Sequence, residues 1–368
     1  MELIFKGKKS QEEILDSAKK YGKLNDNSLD KSIFLYGDNF EGLSKIYNTF
    51  GSCVDLVYID PPYNTNQIFA VSNGRSNTIS RSKKGSIAYS DQMTKDEFLE
   101  FLFERIVLLH AVLSEKGSLY LHIDTKIGHY VKILLDEVFG EENFRNDITR
   151  IKSNPKNFDR KAYGNVKDVI YFYCKKEGNQ IWNEIKEPLD SEELLKLFPK
   201  VDANGRHYTT IPLHAPGETN GVTGQPWRGM MPPEGRHWRT DPAKFDEMDK
   251  LGLIEWSKNG NPRIKKFADE HKGKKIQDIW TFKDPQYPKY PTEKNFGMIL
   301  RIVDMSSNKN SIIMDCFAGS GTTLTAAFYR GRKWIGMDSS EISLKVIENR
   351  EVEAGPFNLI TLETKNRN

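Results

Sequence analysis

The sequence predicts an α/β protein built on a doubly wound parallel sheet, with a second, irregular domain inserted into it. Three observations predict this class. Short apolar strands alternate with amphipathic helices in two stretches, residues 31–178 and 291–368. Between them, residues 179–290 are rich in proline, glycine and tryptophan and lack helical periodicity. Strands of both stretches end in aspartates, which is typical of ligand crevices in doubly wound sheets. Residues 1–30 precede this pattern as a helical extension.

Composition is that of an ordinary globular protein of about two domains. The chain has 368 residues, 38% hydrophobic and 29% charged, with a formal net charge of +3. No apolar run approaches the roughly 18 residues of a membrane span, and no secretory signal is recognisable. Cys53, Cys174 and Cys316 lack metal-ligand spacing and are typical of reduced core residues. We therefore expect a cytoplasmic protein with no membrane partner.

The first β-α-β unit begins with a strand over residues 32–36, which Gly37 and Asp38 close. A helix over residues 40–50 follows and leads directly into the next strand. Asp38 has two interpretations at this stage. It is either the N-cap of the helix or an acceptor for a bound cofactor.

The next strand, residues 54–59, ends in Asp60-Pro61-Pro62-Tyr63. Prolines cannot continue a β-ladder, so the strand ends at Asp60 and the backbone after it is rigid. A carboxylate beside a fixed carbonyl gives two acceptors for an NH2 group, and Tyr63 gives a face on which a planar base stacks. Two such acceptors favour a pyramidal amine and free its lone pair for attack. We predict Asp60, Pro61, Pro62 and Tyr63 as catalytic; the alternative is a Pro-Pro turn with Asp60 capping the next helix.

The segment of residues 64–90 is rich in serine, asparagine and glycine and has no periodicity. Long segments of this kind are usually functional or disordered. We predict a mobile segment that closes on a polyanion, and the alternative is a solvated face. Its candidate nucleic-acid contacts are Arg75, Arg81, Lys83 and Lys84.

Three further elements continue the pattern. Residues 95–113 predict a long core helix, and residues 117–124 and 168–174 predict two strands. His122 lies within the first of these strands. We interpret it as a packed or polar-capped residue rather than a catalytic one.

The middle domain, residues 179–290, contains arginines and tryptophans on predicted turns, and a predicted hairpin about Asn259-Gly260. Such residues read base edges and phosphates, or they form the core and wet surface of a small domain. The candidates for nucleic-acid contact in this domain are Arg228, Arg236, Trp238, Arg239, Arg263 and Lys265.

A glycine-rich turn joins a strand over residues 311–314 to a helix over residues 324–329. Such a turn lets a ligand approach the backbone, and an acid at the end of the next strand, here Asp338, can hold ribose hydroxyls. The turn lacks the third glycine of a dinucleotide fingerprint and the lysine of a P-loop. Unless the turn is purely structural, a nucleoside without a pyrophosphate remains, with S-adenosylmethionine as the obvious case. The candidate cofactor-binding residues are Asp315, Phe317, Ala318, Gly319, Ser320, Gly321, Thr322 and Asp338.

Four aspartates, Asp38, Asp60, Asp315 and Asp338, each end a strand that precedes a helix. If the strands of the two stretches lie side by side in one sheet, all four carboxylates line the same crevice. The glycine turn with Asp338 and Asp38 would then hold the cofactor, and Asp60 to Tyr63 the substrate.

These motifs in this order resemble the amino-methyltransferases of DNA, in particular their circularly permuted β class. Asp60-Pro61-Pro62-Tyr63 comes first, an inserted domain follows, and Phe317-Ala318-Gly319-Ser320-Gly321 matches the family's Phe-x-Gly-x-Gly loop. Tyr290-Pro291-Thr292-Glu293-Lys294 resembles the segment before that loop, and Gly37-Asp38 resembles the site that meets the cofactor's adenine.

The resemblance implies a Rossmann-like methyltransferase sheet and a division of labour along the chain. Residues 31–178 would form the catalytic half and residues 179–290 the target-recognition domain. Residues 291–368 would form the cofactor-binding half, to which Lys294 belongs. The resemblance also implies S-adenosylmethionine as cofactor and no required metal.

The function implied by the resemblance is site-specific transfer of a methyl group to the N6 amine of adenine in double-stranded DNA, after base flipping. Aspartate at the first motif position implies adenine. The alternatives are an N4-cytosine DNA methyltransferase and a non-catalytic nucleic-acid-binding subunit with the same fold. Carbon-5 cytosine chemistry needs a nucleophilic cysteine beside a proline, which the chain does not offer. Dimerisation is common in the class and some members work with a cognate restriction endonuclease, so both are candidate partnerships.

Overall fold

The computed structural model describes residues 2–25, 29–62, 68–72, 75–79, 86–90, 93–154, 161–284 and 293–362, with the backbone alone for the three ranges between 68 and 90. The chain divides into two compact units. The large unit comprises Met1–Glu184 and Gln277–Asn368, and the small unit is Ile185–Ile276. The small unit is narrower than the domain predicted over residues 179–290, because Ile279–Thr281 pairs with the sheet of the large unit.

The regular elements are numbered in chain order. The helices are α1 (Gln11–Lys19), α2 (Asn39–Phe50), α3 (Lys95–Val112), α4 (Thr125–Phe139), α5 (Ser191–Leu197), α6 (Pro242–Lys250), α7 (Phe296–Ser306), α8 (Thr322–Tyr329), α9 (Glu341–Asn349) and α10 (Glu351–Ala354). The strands are β1 (Ser32–Tyr36), β2 (Val54–Ile59), β3 (Ile68–Ser72), β4 (Arg75–Ile79), β5 (Ser86–Ser90), β6 (Leu113–Ile123), β7 (Phe144–Ile151), β8 (Lys167–Cys174), β9 (Lys186–Glu187), β10 (Lys200–Val201), β11 (His207–Pro212), β12 (His214–Pro216), β13 (Arg236–Trp238), β14 (Ile254–Trp256), β15 (Pro262–Phe267), β16 (Lys274–Lys275), β17 (Ile279–Thr281), β18 (Ile312–Asp315), β19 (Lys333–Asp338) and β20 (Phe357–Thr361).

One nine-stranded sheet forms the centre of the large unit, in the order β17-β7-β8-β6-β2-β18-β19-β1-β20. Neighbouring strands are parallel except at β8, which is antiparallel to both β6 and β7. Strand β18 pairs with β2 on one side and with β19 on the other, and β19 pairs with β1. The two predicted stretches therefore form a single Rossmann-like sheet, which confirms the predicted fold class.

The core of the large unit is built around β2, whose Leu56, Val57 and Ile59 are completely buried. A strand buried in this way has both faces covered, as expected for the middle of a parallel sheet. Helix α1 belongs to the same core. Its Ile14 and Ala18 are buried in the main apolar cluster, so the predicted N-terminal extension packs against the large unit.

Some strands were not predicted. Strand β7 carries Arg145, Asn146 and Asp147 in its first half, so it lacks the alternation that indicates a half-buried strand. No strand was predicted in residues 64–90, because that segment has no apolar alternation, and its closing on a polyanion stays a prediction. The backbone of β3, β4 and β5 forms an antiparallel sheet in the order β4-β3-β5. Main-chain pairing between successive strands does not need the apolar alternation on which the prediction relied.

The small unit has an antiparallel four-stranded sheet, β10-β11-β15-β14, and two two-stranded ones. The predicted hairpin is present: Asn259 and Gly260 lie in the turn between β14 and β15, and Gly260 has φ +73°. The small unit has its own apolar core, formed by Leu213, Trp227, Trp238, Phe245, Ile254 and Ile264.

Trp238 was predicted as a nucleic-acid contact, and the structure corrects this. Its side chain is only 4% exposed, and its indole N–H donates to the carbonyl of Gln225. The ring also packs edge-on against Phe245. Trp238 therefore belongs to the core of the small unit, because burial of a large ring stabilises a small domain that has few other apolar side chains.

Candidate active site

The four predicted aspartates end four strands that are consecutive neighbours in the large sheet. In sheet order they are Asp60 after β2, Asp315 at the end of β18, Asp338 at the end of β19, and Asp38 shortly after β1. Parallel strands lie about 4.8 Å apart, and their carboxyl ends meet at one edge. The structure therefore brings together, at a single edge, acids that are up to 300 positions apart in the chain.

Asp60 is paired with a lysine. Lys294 Nζ lies 2.6 Å from Asp60 Oδ2, and the two side chains are 11% and 16% exposed. Lys294 was predicted on the cofactor side, and the structure places its ammonium group on the candidate catalytic carboxylate. Pro61 is buried and Pro62 is half-buried, so the rigid turn is held against the core. Tyr63 lies outside the described residues.

A buried histidine lies behind Asp60. His122 of β6 is completely buried, and its Nδ1 is 2.9 Å from the Tyr58 hydroxyl and 3.9 Å from Asp60 Oδ1. Its Nε2 is 3.2 Å from Asp168 Oδ2 on β8. An ionised carboxylate only accepts, so Nε2 carries the hydrogen and Nδ1 accepts from Tyr58. Burial lowers the pKa of His122 below its ordinary value, although the bond to Asp168 opposes this shift.

Asp168 is held by three groups. Besides His122, Lys152 Nζ donates to Asp168 Oδ1, and the guanidinium of Arg150 lies 3.5 Å from Oδ2. Burial would raise the pKa of Asp168, but its bonds to His122 and Lys152 outweigh burial and lower it well below the usual range. Asp168 is therefore a fixed negative charge on the far side of His122.

The glycine-rich turn after β18 is braced by its own backbone and by Asp338. Gly319 N–H donates to Asp338 Oδ2 at 2.8 Å, and Ala318 N–H donates to the Met337 carbonyl at 2.9 Å. Gly321 has φ +74°, and a Cβ built there would lie 3.1 Å from the Ile347 side chain. Only glycine adopts this conformation without strain. Asp338 thus holds the glycine-rich turn in place. The prediction was that Asp338 and this turn bind the same ligand.

Asp315 differs from Asp60 in its surroundings. Its side chain is 3% exposed and accepts a hydrogen bond from Phe317 N–H at 3.0 Å. No lysine, arginine or histidine pairs with it among the described residues. Burial raises the pKa of Asp315 from 3.8 to about 7, and the nearby charges of Asp60 and Asp338 add to this.

Asp38 caps helix α2: its Oδ1 accepts from Phe40 N–H at 2.9 Å and from Glu41 N–H at 3.1 Å. The N-cap interpretation is therefore observed. Binding of a ligand by Asp38 stays a prediction. Its side chain is 51% exposed at the sheet edge.

Arg105 of α3 is a residue that the sequence analysis missed. Its guanidinium is buried and donates to Asn39 Oδ1 at 2.9 Å and toward Asp38 Oδ2 at 3.3 Å. Asn39 in turn donates to the Cys316 carbonyl at 2.8 Å, next to the glycine turn. Arg105 thus links the start of α2 to the turn. An arginine within the apolar stripe of a core helix was the signal that could have revealed it.

The predicted DNA contacts of the small unit fall into two groups. Arg236, Arg239 and Arg263 converge on His214, and their charges, after burial, lower its pKa. Arg236 lies 3.3 Å from His214 Nδ1, Arg239 donates to the Pro212 carbonyl, and Arg263 donates to Thr210. We call these four residues the His214 cluster. In the part of the small unit that the structure describes, no carboxylate forms an ion pair with the three arginines of the His214 cluster.

The remaining candidates lie elsewhere. Arg228 is neutralised by Asp246 and Asp249, each at 2.7 Å. The ammonium of Lys265 lies 5.2 Å from the centre of the Tyr208 ring. Of the basic residues predicted in the segment of residues 64–90, Arg75 begins β4 with only its backbone described, and the other three lie outside the described residues.

Fold and site together define an α/β protein in which four strand-end aspartates meet at one edge of a Rossmann-like sheet, with a second, smaller unit that has its own core. A family model for DNA methylases matches residues 54–349. Type II methyltransferase M.EcaI of Enterobacter cloacae is 39% identical over 323 residues, which cover 86% of this chain and 68% of that protein. The chain belongs to the DNA methylase family.

Two more distant relatives match over similar lengths. The DNA adenine methyltransferase YhdJ of Escherichia coli K12 is 23% identical over 316 residues, 85% of this chain and 80% of that protein. The Mod subunit of the type III restriction-modification enzyme StyLTI of Salmonella typhimurium is 24% identical over 338 residues. That match covers 83% of this chain and 51% of the subunit, so the chain spans about half the subunit's length. Among the helices described, none has the length and apolar character to cross a bilayer.

Proposed function

We propose that the chain transfers the methyl group of S-adenosylmethionine to the N6 amine of adenine in duplex DNA, with the target base flipped out of the helix. The observation that carries this proposal is the adjacency of β2 and β18. It brings the Asp60-Pro61-Pro62 strand end and the glycine turn to neighbouring positions on one edge. A methyl donor held at the turn and an amine held at Asp60 would then be within reach of each other.

The residues at the edge fit this cofactor. S-adenosylmethionine has a positively charged sulfonium that supplies the methyl group. Asp315 is a buried carboxyl without a described cation partner, which suits a positively charged ligand. The turn at Gly319 and Gly321 offers backbone without side chains, and Asp38 is half-exposed at the end of β1. We assign Asp315, the turn of residues 317–322, Asp338 and Asp38 to the cofactor.

On the substrate side, Asp60 and the Pro61 carbonyl would accept the two hydrogens of the target amine. This would orient the nitrogen lone pair toward the methyl group and stabilise the positive charge that develops on nitrogen. Lys294 holds Asp60 Oδ2 and so fixes the plane of the carboxylate. Flipping the base costs a few kcal/mol, and stacking on Tyr63 would offset part of that cost.

Adenine is favoured over cytosine by the aspartate at the first motif position and by the relative named as a DNA adenine methyltransferase. Covalent carbon-5 chemistry finds no support. Cys174 and Cys316 are buried. Burial raises the pKa of Cys53 to about 11 and raises the pKa of Cys316 well above its ordinary value, so neither of these two thiols is a ready nucleophile.

The test is to express the chain in a bacterial host that lacks DNA methyltransferases and to analyse the digested genomic DNA by mass spectrometry. We expect N6-methyladenine, and sequencing of the modified DNA should map it to one recognition sequence. Expression of the Asp60→Ala variant is the control and should leave the DNA unmodified. N4-methylcytosine instead would overturn the choice of base, and DNA without either product would overturn the methyl transfer itself.

We also propose that the His214 cluster contacts DNA phosphates. Three guanidinium groups within one small surface, without a described carboxylate to neutralise them, are suited to a polyanion. Arg239 and Arg263 are held by bonds to backbone and hydroxyl oxygens, and Arg236 lies against His214, so the three side chains are positioned before DNA arrives.

A further inference from the structure

His122 is a completely buried titratable group that the reaction described above does not use. It lies directly behind the carboxylate that would hold the target amine, with Nδ1 3.9 Å from Asp60 Oδ1. Its other nitrogen is fixed by Asp168 at 3.2 Å. An apolar side chain could fill this buried position without needing any hydrogen-bond partner. The presence of an imidazole with two polar partners therefore needs a reason.

The charges around His122 balance without a proton on it. The groups that face it are Tyr58 and Asp60 from β2 and its end, Asp168 from β8, and Lys294 from the segment before α7. Asp60 is paired with Lys294, Asp168 is paired with Lys152, and Arg150 lies between Asp168 and Asp284. In the resting protein a proton on His122 would therefore add a net positive charge to this buried group, whereas after methyl transfer it would replace the charge that the sulfonium has lost. Burial lowers the pKa of His122, so at neutral pH the ring is an unprotonated base.

Methyl transfer releases a proton that must go somewhere. The bond between sulfur and the methyl carbon breaks, a bond between that carbon and the amine nitrogen forms, and the positive charge moves from sulfur to nitrogen. One N–H proton must then leave to restore a neutral base. Asp60 is the first acceptor in contact with it, and the ammonium of Lys294 on Asp60 Oδ2 already carries its full complement of protons.

We propose that His122 receives this proton from Asp60. The proposal rests on the methyl transfer proposed above and adds the fate of the proton. The proton moves from the amine to Asp60 and then from Asp60 to His122 Nδ1. The second step requires Asp60 Oδ1 and His122 Nδ1, which are 3.9 Å apart, to approach by about 1 Å. The Tyr58 hydroxyl turns its hydrogen away from Nδ1 at that moment. Asp168 then stabilises the imidazolium, and the positive charge lost from sulfur reappears on a ring already flanked by a carboxylate.

His122 thus acts through Asp60 as a positioning and proton-accepting residue. Two variants remove the titratable ring in different ways. His122→Gln retains an N–H for Asp168, and His122→Asn retains an acceptor for Tyr58. Tyr120→Phe is the matched control, because it breaks another buried hydrogen bond of β6, that between the Tyr120 hydroxyl and Ser306, but leaves His122 and its partners in place.

The measurement is the single-turnover rate of methyl transfer between pH 5.5 and 9, on a duplex with the mapped recognition sequence. Both His122 variants should lose about 10- to 100-fold in rate at pH 7, which is at or below the lower end of the range for general acid–base steps. The acid limb of the wild-type pH profile should move in both. Tyr120→Phe should keep that limb and stay within about fivefold of the wild-type rate. Affinities for cofactor and duplex, measured by calorimetry, should be unchanged in all three.

Two results would overturn the inference while the methyl transfer stands: wild-type rate and pH profile in both His122 variants, or an equal loss in Tyr120→Phe. Equal loss would mean that the buried bonds matter only for folding, and melting temperatures of the three variants would show the same fall. A wild-type protein that transfers no methyl group would instead overturn the proposed function, and this inference with it.

Discussion

The carboxyl edge of the large sheet and the His214 cluster of the small unit carry opposite charges and differ in their exposure to water. At the sheet edge, Asp315 is buried and burial raises its pKa to about 7. In the cluster, Arg236 and Arg239 are exposed and keep their charge whatever surrounds them. A buried acid without a counter-charge is suited to a single cation, whereas exposed arginines without counter-charges are suited to an extended polyanion.

Each region also contains residues of the same type that are already neutralised. At the sheet edge, Asp60 has Lys294 as its partner. In the small unit, Arg228 is paired with two aspartates, and Arg206 is paired with Asp269 and Glu270. Each region therefore contains charged residues of one type both with and without an ion-pair partner. Those with a partner serve as controls when a ligand is assigned to those without one.

The largest effect is expected for Asp60→Ala. The variant should lower the single-turnover rate of methyl transfer by at least about 1,000-fold, because the amine loses the acceptor that orients it and stabilises its developing charge. Calorimetry should show cofactor affinity within about threefold of wild type. Asp55→Asn is the matched control on the same strand, since Asp55 bonds Ser114 away from the edge. A rate for Asp60→Ala near that of Asp55→Asn would remove Asp60 from the reaction.

The next largest effect concerns Asp315 and the pH dependence of cofactor binding. The pKa of about 7 means that Asp315 is mainly protonated at pH 6 and mainly ionised at pH 8. A sulfonium ligand binds better to the ionised form, so wild-type affinity for S-adenosylmethionine should rise about tenfold between these pH values. Asp315→Asn should weaken binding at pH 8 by about 10- to 100-fold and abolish the rise.

The same variant separates charge from folding. In the protein without ligand, the raised pKa means that the folded state binds a proton more tightly than the unfolded state does. Stability should therefore fall as pH increases from about 4 through about 7, and Asp315→Asn should remove that fall. A higher melting temperature than wild type at pH 8, together with weaker cofactor binding, would establish both roles. Wild-type cofactor affinity in Asp315→Asn at pH 8 would contradict the assignment.

How much the sequence could predict also differs between the two regions. At the sheet edge, the strands are apolar and end sharply, so the positions of Asp60, Asp315 and Asp338 follow from the carboxyl-edge rule alone. The partners of these acids could not be predicted in this way. Lys294 is 234 positions from Asp60 in the chain, and only the order of strands in the sheet brings them together.

In the small unit, composition was a weaker guide, because the same residue types serve core and surface. Trp238 and Arg239 are adjacent in the chain, yet the first is buried and the second is exposed. Trp238 ends β13 and packs on Phe245, whereas Arg239 follows the strand and bonds the Pro212 carbonyl, so the local sequence alone does not separate core from surface residues in this run. The partners of Arg228, both on α6, likewise could not be predicted from its local sequence.

The smallest effect, and the sharpest use of the internal controls, concerns the arginines of the small unit. Arg236→Gln, Arg239→Gln and Arg263→Gln should each weaken duplex binding by several-fold and lower the slope of log affinity against log salt by about 1, because each phosphate contact releases about one counterion. Arg206→Gln and Arg228→Gln remove the same charge, but from arginines that carboxylates already neutralise. In these two variants the slope of log affinity against log salt should not fall by about 1, because no phosphate contact is lost.

Titrations of a fluorescent duplex between 50 and 200 mM salt would measure the slopes, with melting temperatures as a check on folding. If all five variants change the slope equally, net charge alone attracts the DNA, and the difference between neutralised and unneutralised arginines has no bearing on where it binds.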